Sequence, residues 1–94
     1  MTYYKAKSEY IIREFLDDTI LIPVGSQIIK NNSIIVLNET SLFMWKALSQ
    51  PKTFDALAQE MMAEYEVEKD VLTPDIKAFI DYLSRFDALE ITEE

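Results

Sequence analysis

Apolar residues cluster in short runs through the first third of the chain and recur at helical spacing afterwards. Tyr10-Ile11-Ile12-Arg13-Glu14-Phe15-Leu16 reads as a strand, Asp17-Asp18 as a turn, and Thr19-Ile20-Leu21-Ile22 as the hairpin partner. Pro23 ends regular pairing or marks an edge, and Gly25, the single glycine, marks a bend suited to positive φ. Gln27-Ile28-Ile29-Lys30 is expected to form a short extra strand, returning through the turn residues Asn31-Asn32. The run Ile34-Ile35-Val36-Leu37 has four unbroken aliphatic residues, which suits a strand covered on both faces.

That strand feeds directly into a helix. Asn38, Glu39, Thr40 and Ser41 are the capping stretch for a body holding Leu42, Phe43, Met44, Trp45, Ala47 and Leu48. With almost no polar face, this helix is expected in the middle of the domain, where Trp45 fills core space rather than stacking on a ligand. Ser49-Gln50-Pro51-Lys52 breaks the chain, and Thr53 caps a second helix from Phe54 to about Tyr65, carrying Leu57, Ala58, Met61 and Met62. An acidic connector, Glu64 to Asp70, leads to a third helix. Its clearest start is Thr73-Pro74, although one turn through Val71 and Leu72 could precede it, and its stripe is Ile76, Phe79, Ile80, Leu83 and Phe86. Asp87 to Ile91 is expected to add a short extended tail. The fold class is therefore α+β, a small antiparallel three-stranded sheet followed by three helices, topologically close to a winged helix.

Composition narrows the chemistry. The 94 residues suit one domain, 1–94, with a single core. Neither cysteine nor histidine occurs, so no thiolate or histidine dyad can form, and a metal would depend on carboxylates alone; no cofactor is expected. The start lacks the apolar core of a signal peptide, and no run approaches the roughly twenty apolar residues of a membrane span. A soluble cytoplasmic protein is the expectation. Its net charge is −8, unevenly placed: residues 1–47 carry five basic and five acidic groups, and residues 48–94 carry four and twelve. Such a chain repels polyanions, because nonspecific nucleic-acid affinity comes mainly from neutralising phosphates with Lys and Arg.

Catalysis finds no support in the pattern. Among seventeen acids, neighbours such as Asp17 with Asp18 or Glu60 with Glu64 arise by chance and serve solubility. One glycine cannot build a phosphate-cradling loop. Winged-helix order invites a nucleic-acid reading, yet from Pro74 to Phe86 only Lys77 and Arg85 are basic, offset by Asp75 and Asp81. Peptide binding fits better. With the sheet in the order first strand, second strand, key strand, Ser33 to Leu37 lies at an edge that can template an incoming extended chain. Leu72 and Tyr82 give the third helix more apolar surface than one stripe requires, so a groove between helix and edge could hold aliphatic side chains. The plainer account is that these residues only pack on each other.

Ile35-Val36-Leu37-Asn38-Glu39-Thr40, followed by Trp45 and Leu48, then Thr53 with Phe54 and Leu57, then Tyr65 and the Ile76/Phe79/Leu83 pattern, resembles the PqqD-like family. The likeness runs from about Tyr10 to Leu89. It is similar in particular to the small free-standing precursor-peptide recognition proteins of ribosomal peptide modification systems. The resemblance implies no catalytic activity and binding of a precursor's leader segment as an extra antiparallel strand. It further implies delivery to a modifying enzyme, often of the radical S-adenosylmethionine type. Carried onto this chain, the peptide-binding residues are Ser33, Ile34, Ile35, Val36 and Leu37 on the edge strand, with Leu72, Ile76, Phe79, Ile80 and Leu83 on the facing helix. Ser49-Gln50-Pro51-Lys52 stands where the founding branch commonly has an aspartate-glycine pair, which points to the broader family rather than to the quinone pathway. Neither nucleic acid nor membrane is an expected partner, and the edge strand also allows a weak homodimer. The alternatives are a winged-helix protein acting in transcription mainly through protein contacts, and a structural subunit without a peptide ligand.

Overall fold

The computed structural model describes the chain except residues 31–33 and the side chains of residues 29 and 30. Among the described residues, five strands and four helices follow one another as β1 (Thr2–Ala6), β2 (Tyr10–Phe15), β3 (Asp18–Pro23), α1 (Ser26–Lys30), β4 (Ile35–Leu37), α2 (Glu39–Ala47), α3 (Phe54–Tyr65), α4 (Lys69–Arg85) and β5 (Leu89–Glu93). The expected antiparallel sheet is present, three-stranded and ordered β2-β3-β4. A second sheet, not foreseen, pairs β1 with β5 from Thr2↔Glu93 to Ala6↔Leu89. The extended tail is thus a strand, held by an N-terminal segment that showed no alternation of its own.

Proline decides how the main sheet is hydrogen-bonded. Tyr10 pairs with Pro23, and proline has no N–H, so this cannot be a pair that exchanges two hydrogen bonds. Two bonds agree: Val24 N–H donates to the Glu9 carbonyl at 2.8 Å, and Tyr10 N–H turns away from β3 to the Lys7 carbonyl at 3.4 Å. Alternation then makes Ile11–Ile22, Arg13–Ile20 and Phe15–Asp18 the bonded pairs, and it turns the Leu21 and Thr19 backbone toward β4.

The hairpin turn is Leu16-Asp17, one residue earlier than expected, with Leu16 at φ 59°; Asp18 opens β3. Closing on the Phe15–Asp18 pair leaves a two-residue loop, the length that favours a positive φ. Gly25, at φ 61°, turns the chain as anticipated.

The extra strand expected at Gln27–Lys30 is instead part of α1. Gln27 N–H donates to the Val24 carbonyl and Ile28 N–H to that of Gly25, winding the segment after the bend. Gln27 is fully buried, and its amide Nε2 donates to the Asp87 carbonyl at 3.1 Å and reaches the Tyr10 hydroxyl at 3.5 Å. Tyr10 donates in turn to the Phe86 carbonyl at 2.7 Å, so a buried polar network joins α1, β2 and the turn after α4. The expected turn at Asn31-Asn32, and Ser33, lie outside the described residues.

The key strand is covered on one face, not two. Ile35 and Leu37 are buried, whereas Ile34 and Val36 are 58% and 54% exposed. The run is aliphatic throughout, but strand alternation sends every second side chain outward, and among the described residues no element covers that face. Asn38 caps α2 by accepting from Ser41 N–H at 2.8 Å, and Thr53 caps α3 by accepting from Ala56 N–H at 3.1 Å. Helix α4 begins at Lys69, so Pro74 lies inside it and the Thr73 hydroxyl bonds back to the Lys69 carbonyl. The extra turn buries Leu72 beneath Ile76, which extends the apolar stripe.

The core gathers Leu21, Ile35 and Leu37 from the sheet, Met44, Trp45 and Leu48 from and just after α2, Leu57 and Met61 from α3, and the α4 stripe. Trp45 meets Tyr10 edge to face, with ring centroids 6.2 Å apart. Phe43 and Tyr65 form a second such pair; burial, aided by Glu39 and Glu64, raises the Tyr65 phenol above its ordinary value. Trp45→Ala is expected to cost about 3–5 kcal/mol, read as a lower denaturant midpoint. An unchanged unfolding curve would remove Trp45 from the core.

Candidate functional site

Strand β4 forms one edge of the main sheet, because β3 pairs it through Leu21↔Ile35, Ile20↔Val36 and Thr19↔Leu37 and no described strand pairs its other side. The bonding pattern of the hairpin carries across. Since Leu21 and Thr19 turn toward β4, they form the bonded pairs with Ile35 and Leu37. Val36 therefore points both its N–H and its C=O away from the sheet, and among the described residues no group bonds them.

Beside this edge runs a groove of about 430 Å³. Its lining comes from the strand end (Val36, Asn38), one face of α2 (Thr40, Ser41, Met44) and one face of α4 (Asp75, Ala78, Phe79, Tyr82). Tyr82 is more than a third exposed and is braced edge-on by Phe86 at 5.2 Å. The Asn38 side chain is already engaged, since its Oδ1 accepts from both Ser41 N–H and the Thr40 hydroxyl. Among the described residues Asp75 is the one charged residue of the lining, and it forms no ion pair with any of them.

The residues anticipated from sequence divide between groove and core. Val36 lines the groove, Phe79 belongs to the core at 5% exposure while also lining the groove floor, and Ile34 is exposed just before β4. Ile35, Leu37, Leu72, Ile76, Ile80 and Leu83 are buried beneath it, and Ser33 lies outside the described residues. Asp75, Ala78, Met44 and the residues at the start of α2 were missed as lining. The signal existed for α4: Asp75, Ala78, Phe79 and Tyr82 recur at spacings of three and four, a helix face offset from the core stripe.

A second concavity, about 450 Å³, lies at the other end of α2 between Lys5, Lys7, Tyr10, Ile12, Trp45 and Lys46. It adjoins the opposite sheet edge, β2, but that edge is partly closed. The Lys7 carbonyl holds Tyr10 N–H, and the Arg13 guanidinium donates to the Ile12 carbonyl at 3.1 Å. Strand β1 is closed on both sides, by β5 and by Tyr4–Lys52 and Ala6–Leu48 backbone bonds. Among the described residues there is no cluster of three metal-ligating side chains and no helix long and apolar enough to cross a membrane.

An open strand edge facing a helix across a partly apolar groove defines a small α+β domain equipped to take up an extended chain as an added strand. The chain belongs to the PqqD family: the family model described as coenzyme PQQ synthesis protein D (PqqD) matches residues 19–86. Its fold is similar to that of a solved chain described as TbiB1 in complex with the TbiA(beta) leader peptide. The TM-score is 0.70 and identity 19%, over 92% of this chain and 94% of that one. No curated protein matches the sequence significantly.

The bonding pattern predicts a hydrogen-exchange signature. The Val36 amide should exchange rapidly while those of Ile35 and Leu37 are protected. Protection of Val36 with rapid exchange of its neighbours would reverse the assignment of the open edge.

Proposed function

We propose that this chain binds the leader segment of a ribosomally made precursor peptide and presents it to a separate modifying enzyme, without catalysing a reaction itself. The observation that carries this reading is the outward Val36 backbone beside the α4 groove. A leader laid antiparallel along β4 exchanges two hydrogen bonds with Val36 and directs alternate side chains toward Met44, Ala78, Phe79 and Tyr82. Ile35, Leu37, Leu72, Ile76, Ile80 and Leu83 then act from below, holding strand and helix at the groove's width. Family membership supports the reading, as does the leader peptide bound to TbiB1 in the similar structure. The place of action is the cytoplasm, where the precursor is synthesised.

The test is titration of the leader encoded by a precursor gene neighbouring this one, followed by amide shifts. Perturbations should centre on Val36 and on the groove-facing positions of residues 75–82. Val36→Pro removes an outward N–H and fixes φ, changes tolerated at sheet edges, so the variant should still unfold cooperatively while binding weakens about tenfold. Undiminished binding by a folded Val36→Pro protein, or shifts confined to the surface around Lys5 and Lys46, would move the ligand off this edge.

A further inference from the structure

The groove has a charge pattern as well as a shape. Backbone pairing along β4 accepts any sequence except proline at a bonded position, so discrimination among peptides rests on the lining side chains. Those are apolar or neutral apart from Asp75. Its carboxylate has no ion-pair partner among the described residues, and neither basic residue of its own helix between Pro74 and Phe86, Lys77 or Arg85, belongs to the lining. The chain as a whole has the same sign, with a net charge of −8. An approaching cationic segment is drawn in, and an acidic one is repelled.

From this we infer that Asp75 is a specificity-determining residue that selects leader segments presenting lysine or arginine to the groove. The inference rests on the peptide-binding reading above. Spacing refines the ligand. One helical turn separates Asp75 from Phe79, about 6 Å along α4. Side chains on the same face of an extended strand are two residues and roughly 7 Å apart. The cation and an aliphatic or aromatic side chain therefore occupy alternate positions of the bound strand, in the pattern basic–any–apolar. Asp75 meets the first and Phe79, flanked by Val36 and Tyr82, meets the second.

The experiment selects displayed random dodecapeptides on the full chain and, in parallel, on Asp75→Asn and Asp75→Lys. Each enriched peptide is then synthesised and checked for a shift of the Val36 amide. The parent protein should enrich lysine or arginine two positions from an apolar residue, and Asp75→Lys should replace that preference with aspartate or glutamate. For a selected basic peptide, Asp75→Asn should weaken binding about three- to fivefold, the range of a partly exposed ion pair. High salt should shrink that difference. Peptides that shift Val36 but show no basic preference, or the same preference on Asp75→Lys, overturn the role of Asp75 and leave the groove reading intact. Failure to enrich any peptide that shifts Val36 overturns both.

Discussion

A missing hydrogen orders the main sheet of this protein. Pro23 ends β3 with no N–H to give, and its partner Tyr10 is thereby kept out of the bonded set. In an antiparallel sheet that single exclusion propagates, because bonded and unbonded pairs alternate along each strand and each strand bonds its two neighbours with opposite sets of residues. Two strands away, the result is Val36 facing outward. A shift of one residue would bond Val36 to β3 and turn all the side chains of β4 over, burying Val36 and exposing Ile35 and Leu37. Core packing and edge chemistry thus demand the same register, one through Ile35 and Leu37, the other through Val36.

Tyr10 carries a second constraint. Its ring packs against Trp45 while its hydroxyl bonds the Phe86 carbonyl, and Gln27 joins the same polar cluster from α1. Four segments distant in sequence are tied at one buried point. The end of α4 is therefore fixed relative to the sheet, and so is the width of the groove between α4 and β4. The β1–β5 pair strengthens that connection, with the Lys7 N–H bonded to the Ala88 carbonyl just beyond α4.

Sequence made the three longer helices and the order of the main sheet legible because their signals are local: Thr53 as a cap, the stripe from Ile76 to Leu83, and the spacing of the hairpin. What it concealed was set by partners remote in sequence. Gln27-Ile28-Ile29 has strand-like composition, but burial of the Gln27 amide against Asp87 and Tyr10 favours a helical turn, and nothing nearby announces those partners. Thr2 to Ala6 becomes a strand only because β5 returns beside it. At the site, hydrophobicity directed attention to Ile76, Ile80 and Leu83, which are apolar because they are core. The groove lies one helix face over, where Asp75 and Ala78 interrupt the stripe and so looked like ordinary solvent positions.

The two sheet edges show why an apolar strand can stay open without being a defect. Exposed edges invite pairing with any extended chain, and proteins usually blunt them. Strand β2 follows that practice: Tyr10 and Ile12 point backbone groups outward, yet a main-chain carbonyl meets one and Arg13 covers the other. Strand β4 is three residues long and bears neither proline nor charge. Its shortness limits indiscriminate pairing, since one outward residue supplies only two hydrogen bonds, worth roughly 1–3 kcal/mol together. A lasting complex must add side-chain burial in the groove, and the groove is bounded by α4 and the start of α2. On the proposed peptide-binding reading, affinity therefore requires a ligand that satisfies both the backbone of Val36 and the lining from Asp75 to Tyr82.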